Sequence, residues 1–456
     1  MTDLPKPLER GQRARLFPVL ADTSKEGRTL SIFLSCLETV DNFGRTLLSS
    51  LGAPSGGRSK IECYTEVILN KKIINKEGAR PDGLIIVTSA GKNWTALVEA
   101  KVGNSDLTNA QLESYLDLAK INEIDAVITL SNQFAALPSH HPVNVNPSSK
   151  KKVSLFHWSW MYVVTQSALQ LSNEEITDRE QRVILREMNR FLLHESSGVR
   201  GFDQMPAAWT EIVGKVLAGA AVSANAQDTR DVIGAWHQEL GDLALTLSRQ
   251  LERHVEVRMT RVHIADPAQR QRDDQKALAE NAQLNATLSV PDAAAPIAIC
   301  ADLKKRSITV SMRLRAPDEP KSTKARINWL LRQLQAADPT DVHVRCFWPG
   351  RTSFTQFPLA ALRTHPETVL VDHNGQSLLS FELLLIKDLG PRFAKRRNFI
   401  DELGKTASEF YLHVGENVKA WQARAPRLVD GKAEPQQVGT EALREEAEQE
   451  ALAGEA

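Results

Sequence analysis

Two short stretches carry residue types that do chemistry: Arg80-Pro81-Asp82-Gly83-Leu84-Ile85-Ile86-Val87 and, a polar turn later, Leu97-Val98-Glu99-Ala100-Lys101-Val102. An acidic residue opens one apolar run, and a Glu-x-Lys triplet closes the next. Leu84 to Val87 is continuously apolar, the mark of a buried strand. Trp94 to Val102 reads the same way, and Ser89 to Asn93 between them supplies the turn residues Gly91 and Asn93. Side chains alternate along a strand, so Thr95, Leu97, Glu99 and Lys101 share one face, and Ala96, Val98, Ala100 and Val102 the other. Glu99 and Lys101 thus leave the strand side by side, about 6–7 Å apart along it. Stability does not call for charge in an apolar strand, because burying it unpaired is costly. With Asp82 on the same face of the neighbouring strand, two carboxylates converge, and a divalent cation relieves their repulsion.

The roles follow from that convergence. Asp82 and Glu99, with the carbonyl oxygen of Ala100 as a third donor, would hold Mg²⁺ or Mn²⁺ and leave positions for water and a phosphate oxygen. The ion acidifies its water and neutralises charge that builds as a phosphodiester is hydrolysed. Lys101 can orient that water, stabilise the oxyanion, or act as base if burial lowers its pKa. The sequence leaves all three open.

Elements on either side must position these groups. Upstream, Ile61, Tyr64, Thr65 and Ile68 fall on one helical stripe, so a helix is expected over Ile61–Leu69. It offers Glu66, and less directly Glu62, as a further carboxylate. Downstream, Ser105-Asp106-Leu107-Thr108 resembles a helix start, and Asn109 to Ile121 is expected to be helical, with Gln111 and Tyr115 four apart on one face. Ala126 to Leu130 reads as another buried strand.

A helix with Glu, a strand with Pro-Asp, a strand with Glu-x-Lys, a helix with Gln and a further strand together resemble the PD-(D/E)XK, restriction-endonuclease-like nuclease superfamily over roughly residues 61–131. The resemblance implies an α/β fold with an αβββαβ core and a metal-dependent nuclease acting mostly on DNA, with RNA open. It makes Asp82, Glu99 and Lys101 the catalytic trio, Glu66 the first acidic residue of the motif and a metal ligand, and Gln111 a helix residue at the site or the phosphate backbone. A role in defence or repair is implied by fold analogy alone. Two rivals stand beside it: a catalytically inactive nuclease-fold module that binds nucleic acid or protein, and a hydrolase of another phosphate ester.

Other features are blander. His140-His141 lies between Pro138 and Pro142 and reads as a surface loop, and His157 beside Trp158 reads as packed. The chain has no Walker-type phosphate loop and no supported Ser/His/Asp signature. Four separated cysteines, Cys36, Cys63, Cys300 and Cys346, argue against a zinc site or disulfide framework and suit a reducing cytoplasm. The N-terminal residues lack an apolar signal core, and no apolar run approaches the roughly 20 residues of a membrane span, so a cytoplasmic location is expected. Net charge is +0, so distribution matters more than total. Basic clusters lie at residues 304–326 and at Lys387, Arg392, Lys395, Arg396 and Arg397, while Glu441 to Ala456 is acidic.

A length of 456 residues predicts two or three domains. Residues 1–200 are expected to form the nuclease-like domain. Within it, Leu16 to Leu20 suggests a strand, Leu30 to Leu51 a helix broken near Gly44, and Val153 to Met161 a strand and Trp-rich corner. Thr177-x-x-Glu180 suggests a capping box opening a helix that stops at Ser196-Ser197-Gly198. Residues 201–253 read as a helical connector whose long stripe through Trp236, Leu240, Leu243 and Leu247 packs in a core or meets a second subunit or a partner protein. Residues 254–425 read as an α+β accessory domain, itself a second place for such a partner. Its strands are expected at His254–Ile264, Leu284–Val290, Ser307–Arg315, Val342–Trp348 and Leu378–Ile386, and its helices near Ile327–Leu334 and Phe399–Trp421. Ser307–Arg315 alternates as a half-exposed strand ending in Arg313 and Arg315. Residues 426–456 are expected to be a disordered acidic tail.

Overall fold

The computed structural model describes residues 5, 7–17, 25–71, 80–143, 145–146, 152–319, 321–350, 354–371, 373 and 375–422. The expected acidic tail and most of the expected strand at Leu16–Leu20 lie outside them. The fold is mixed α/β, with two sheets. The first half runs β1 (Leu8–Arg13), α1 (Lys25–Thr39), α2 (Asp41–Ser49), β2 (Lys60–Leu69), β3 (Gly83–Ser89), β4 (Lys92–Ala100), α3 (Asn109–Ile121), β5 (Ala126–Ser131), β6 (Ser154–Ser159), α4 (Trp160–Ser172) and α5 (Arg179–Leu193). Its six strands lie in sequence order in one sheet. β1 to β4 pair antiparallel, whereas β4–β5 and β5–β6 are parallel, with α3 as the crossover between β4 and β5.

The hairpin β3–β4 forms because its turn fits its twist. Ser89 pairs with Lys92, which leaves Ala90 and Gly91 as a two-residue loop with φ of 49° and 74°. Positive φ at both central residues matches the right-handed twist of the strands it joins. Asn93, expected in the turn, is already in β4. Alternation along both strands then splits the sheet as expected. Ile85, Val87, Ala96, Val98 and Ala100 pack toward α1, α2, α4 and α5, in a cluster that includes Phe33, Trp158 and Trp160. Leu84, Ile86, Leu97 and Val127 pack against α3 through Leu112, Tyr115 and Leu116. Phe33 meets Trp158 and Trp160 edge-on at 6.2 and 5.8 Å, a geometry worth roughly 0.5–1.5 kcal/mol per pair beyond burial.

Residues 61–69, expected as a helix, are strand β2. A bulge explains the misreading. Glu66 has φ of 52°, and the register against β1 shifts there. Cys63 faces the α1 side, but Tyr64, Val67 and Leu69 all face the α3 side. The extra residue breaks the period of two and leaves a spacing that imitates 3.6. The helix expected from Leu30 to Leu51 with a break near Gly44 is two helices, α1 and α2, and the break falls at Val40. Gly44 instead lets α2 press against α1: a Cβ there would lie 2.1 Å from the Leu37 carbonyl oxygen. Helix α5 is capped by Asp178, which accepts from Gln181 N at 2.8 Å, rather than by Thr177.

The second half runs α6 (Ala207–Leu217), α7 (Gln227–Leu251), β7 (Glu256–Val257), α8 (Arg261–Ala265), α9 (Pro267–Asn281), β8 (Gln283–Ser289), β9 (Ile297–Asp302), β10 (Ser307–Arg315), α10 (Thr323–Gln333), β11 (Val342–Phe347), β12 (Thr355–Pro358), α11 (Leu359–Thr364), β13 (Ser380–Asp388) and α12 (Arg396–Phe410). The seven strands form an antiparallel sheet in the order β12-β11-β13-β10-β9-β8-β7. The expected strand at His254–Ile264 is only β7, because Thr260 caps α8 by accepting from His263 N. Tyr411–Gly415 is a turn of π-helix that continues α12. One face of the sheet shares a core with α6, α7, α10 and α12, so the stripe of Trp236, Leu240, Leu243 and Leu247 packs inside this chain. Gln238 of α7 also accepts from Phe134 N and donates to Phe134 O, tying the second core to the loop after β5. Among the described residues no helix is long and apolar enough to cross a membrane.

Candidate metal and catalytic site

The register of β3 on β4 builds the site. Leu84 pairs with Leu97 and Gly83 with Val98, so the next pair outward is Asp82 with Glu99, on the α3 face. Directly opposed residues in an antiparallel pair hold their Cβ atoms about 4.5–5.5 Å apart. Backbone geometry fixes Asp82: its Oδ2 accepts from the Ala100 amide at 2.9 Å, and its own carbonyl accepts from Glu66 N at 3.1 Å.

Glu99 is 2% exposed. Its Oε1 accepts from Gln111 Nε2 at 2.6 Å and meets the Lys101 ammonium at 2.8 Å, while its Oε2 is buried with no hydrogen-bond partner. Gln111 is in turn 3.3 Å from Tyr115 Oη, which donates to the Arg80 carbonyl. Burial, and then the charge of Asp82, push the Glu99 carboxyl up to about 7. Burial likewise raises Asp82, against the pull of the Ala100 amide and Lys101. Two carboxylates are therefore held together in a dry place where neither ionises easily, and one oxygen lacks a donor. That donor set fits a divalent cation: two carboxylates, with the Ala100 carbonyl as the backbone oxygen beside them. Among the described residues no three His, Cys, Asp or Glu side chains form a ready-made metal cluster.

Lys101 lies just past the end of β4, and its backbone is anchored on both sides. Its amide donates to Leu130 O at 2.8 Å, and its carbonyl accepts from Trp160 Nε1 at 2.8 Å. Two residues on, Gly103 N donates to Gly198 O, and Asn132 Nδ2 donates to the carbonyls of both Gly103 and Gly198. Burial alone would lower the Lys101 pKa, but the hydrogen bond and charge of Glu99, then Glu26 and Asp82, outweigh it and raise the pKa. A raised pKa keeps Lys101 protonated, which speaks against the base among the roles left open by sequence and leaves the other two.

Asp82, Glu99, Lys101 and Gln111 come together as the sequence anticipated. Glu66 touches the site through its backbone, while its side chain accepts from Gln12 at 3.4 Å; among the described residues it makes no hydrogen bond or ion pair with Glu99 or Lys101. The additional carboxylate at the site is Glu26, from the first turn of α1, 3.5 Å from Lys101 Nζ. Sequence reasoning missed it by starting the helix at Leu30; a Glu in a first turn is common anyway, because it suits the helix dipole.

The polar row continues across the sheet. Glu99 pairs with Thr129, and Thr129 with His157. His157 Nε2 donates to the Gln133 carbonyl, so its Nδ1 accepts from Thr129 Oγ1 at 2.8 Å, and His141 Nε2 lies 2.9 Å from the same hydroxyl. Burial lowers His157 to about 4, which keeps it neutral and packed as expected. His141 is drawn in from its loop to this row, a contact with no sequence signal.

Gln111→Ala is expected to slow the site's chemistry about tenfold, as loss of an outer partner of a ligand does. Glu26→Gln is expected to leave the rate near neutrality within a few-fold but to move the alkaline limb of a pH–rate profile downward, because Lys101 loses a negative charge that helps the ammonium hold its proton. A pH–rate series on the two variants checks both expectations.

Comparison of the chain with protein-family models, curated proteins and solved structures finds no match.

Proposed function

We propose that this chain is a Mg²⁺- or Mn²⁺-dependent nuclease of the PD-(D/E)XK type, hydrolysing phosphodiester bonds of nucleic acid, DNA in preference to RNA. One observation carries the reading: the buried, in-register Asp82–Glu99 pair, with an undonated oxygen on Glu99 and the Lys101 ammonium against its other oxygen. The order of elements supports it, since a helical segment bearing Glu26, the antiparallel strands β2 to β4, the crossover α3 and the parallel β5 follow an αβββαβ plan. A bound divalent cation would supply Lewis acidity and an activated water. Asp82, Glu99 and the Ala100 carbonyl would hold it. Gln111 keeps Glu99 Oε1 aimed, and Lys101 orients the attacking water or neutralises a phosphate oxygen as charge grows there.

The test is cleavage of plasmid and linear DNA with Mg²⁺, Mn²⁺ or EDTA, beside Asp82→Ala. Metal-dependent cutting that the variant lacks supports the reading. No cutting with any metal, by a folded protein, favours instead an inactive nuclease-fold module that binds nucleic acid or protein.

A further inference from the structure

The face of the second sheet turned away from its core carries a pocket of about 590 Å³. Its floor is the polar side of the sheet, including Asn285, Thr309 and Ser311, and the segment from Val257 to Asp274 walls one end. Charge around it is unevenly committed. The carboxylates are engaged: Asp302 accepts from Lys305 N and Gln283, Glu382 accepts from Ser311 and Arg345, and Asp274 pairs with His237 and Arg270. Two exposed cations that line it, Arg258 and Lys305, and the exposed Arg313, two residues beyond Ser311 on the same face of β10, form no salt bridge with a carboxylate among the described residues. The second basic cluster is different, since Lys387, Arg392 and Arg397 are neutralised by Asp341, Glu402 and Asp401.

Those three cations are widely spread. Lys305 sits in the turn before β10 and Arg313 near its far end, so at about 3.3 Å per residue they lie roughly 25 Å apart along the strand. One phosphate group cannot bridge that span, whereas a polyanionic strand can. Beside Arg313 the face turns aromatic: its guanidinium lies 3.9 Å from the centroid of Phe347, and that of Arg345 lies 4.7 Å from that of Phe354, which is 45% exposed. Bases stack on such rings, and amide and hydroxyl groups below can read their edges. A base paired within a duplex cannot descend into the pocket; an unpaired one can.

We propose that this face binds single-stranded nucleic acid, with Arg258, Lys305 and Arg313 on phosphates, unpaired bases in the pocket and stacking at Phe354. It rests on the reading that the chain acts on nucleic acid, and it gives that reading a substrate form: a strand with unpaired bases.

The experiment is fluorescence anisotropy of the full chain in EDTA with labelled single-stranded DNA, single-stranded RNA and duplex DNA of one sequence, across a salt series. Single strands are expected to bind more tightly than duplex. The triple variant Arg258→Gln/Lys305→Gln/Arg313→Gln is expected to bind them at least tenfold more weakly and to flatten the log–log salt slope by about 2, near 0.7 per lost phosphate contact. Phe354→Ala is expected to weaken binding about tenfold at unchanged slope. Equal binding by parent and triple variant, preference for duplex, or no binding at all would overturn the inference. Unchanged melting curves exclude misfolding at these exposed positions. Cleavage with unaltered binding by the surface variants leaves the nuclease reading standing without this inference; surface-dependent binding without cleavage does the reverse.

Discussion

Asp82→Asn is expected to make the metal-free protein more stable while removing the proposed metal-dependent cleavage. Glu99 is raised from an ordinary 4.5 to about 7 in the fold. For an acid whose folded pKa is raised, the folded state holds its proton more tightly. That contribution, roughly 3 kcal/mol, is complete below about 4.5 and is lost as pH rises through 7. Burial is the larger cause and the Asp82 charge the second, so neutralising Asp82 recovers only part, about 1 kcal/mol, or some 2–4 °C in Tm. The asparagine oxygen can still accept from the Ala100 amide. Activity should fall at least ~100-fold, the upper cost of losing even an outer partner of a metal ligand. Calorimetry at pH 5 and pH 8, with EDTA or Mg²⁺, checks the claim: in the parent, Mg²⁺ should stabilise more at pH 8 than at pH 5, and in Asp82→Asn it should do little at either. A variant less stable than the parent at pH 8 in EDTA would show that the pair is not strained.

Lys101→Met is expected to lower kcat by about 10²–10³ with KM nearly unchanged, the scale for removing one preorganised stabiliser of developing negative charge. The methionine keeps much of the apolar stem, so packing should survive. Metal affinity should change much less than with Asp82→Asn, because the ammonium repels a cation rather than binding one. Loss of the cation also leaves Glu99 Oε1 with Gln111 alone, so the carboxyl should titrate higher still. Single-turnover cleavage and metal titration on one preparation separate the two effects. Unfolding of Lys101→Met would instead mark Lys101 as a structural ion-pair partner of Glu99 and Glu26.

The β3–β4 hairpin was legible because its alternation is unbroken: each residue from Leu84 to Val87 and from Thr95 to Ala100 faces the side that counting by two assigns. β2 was not, since one residue at Glu66 changes the phase and no composition marks a bulge. Glu26 was hidden by position, reaching Lys101 from a helix that packs on the opposite face of the sheet. In the second half, β10 showed its polar and apolar sides in Ser307 to Arg315. The pairing of β10 with β9 and β13, which gathers separate polar faces into one pocket, is a matter of long-range register that no local pattern encodes. The likeness of residues 61–131 to a nuclease motif thus rests on a hairpin and a crossover helix, and the helix assigned to Glu66 was the wrong part of it.

The two-residue turn at Ala90 and Gly91 sets how much insertion or deletion this site can tolerate. It begins eight residues from Asp82, roughly 26 Å along the strand, and touches neither carboxylate. Yet it alone makes the separation from Asp82 to Glu99 the one that places them opposite each other. One residue added or removed there and propagated along the ladder would turn the whole apolar set of a strand to the wrong face, carrying one carboxylate with it. Length variation between related chains should therefore collect in the segment between β2 and β3 and in the loop before β6, and be absent from the tip of this hairpin.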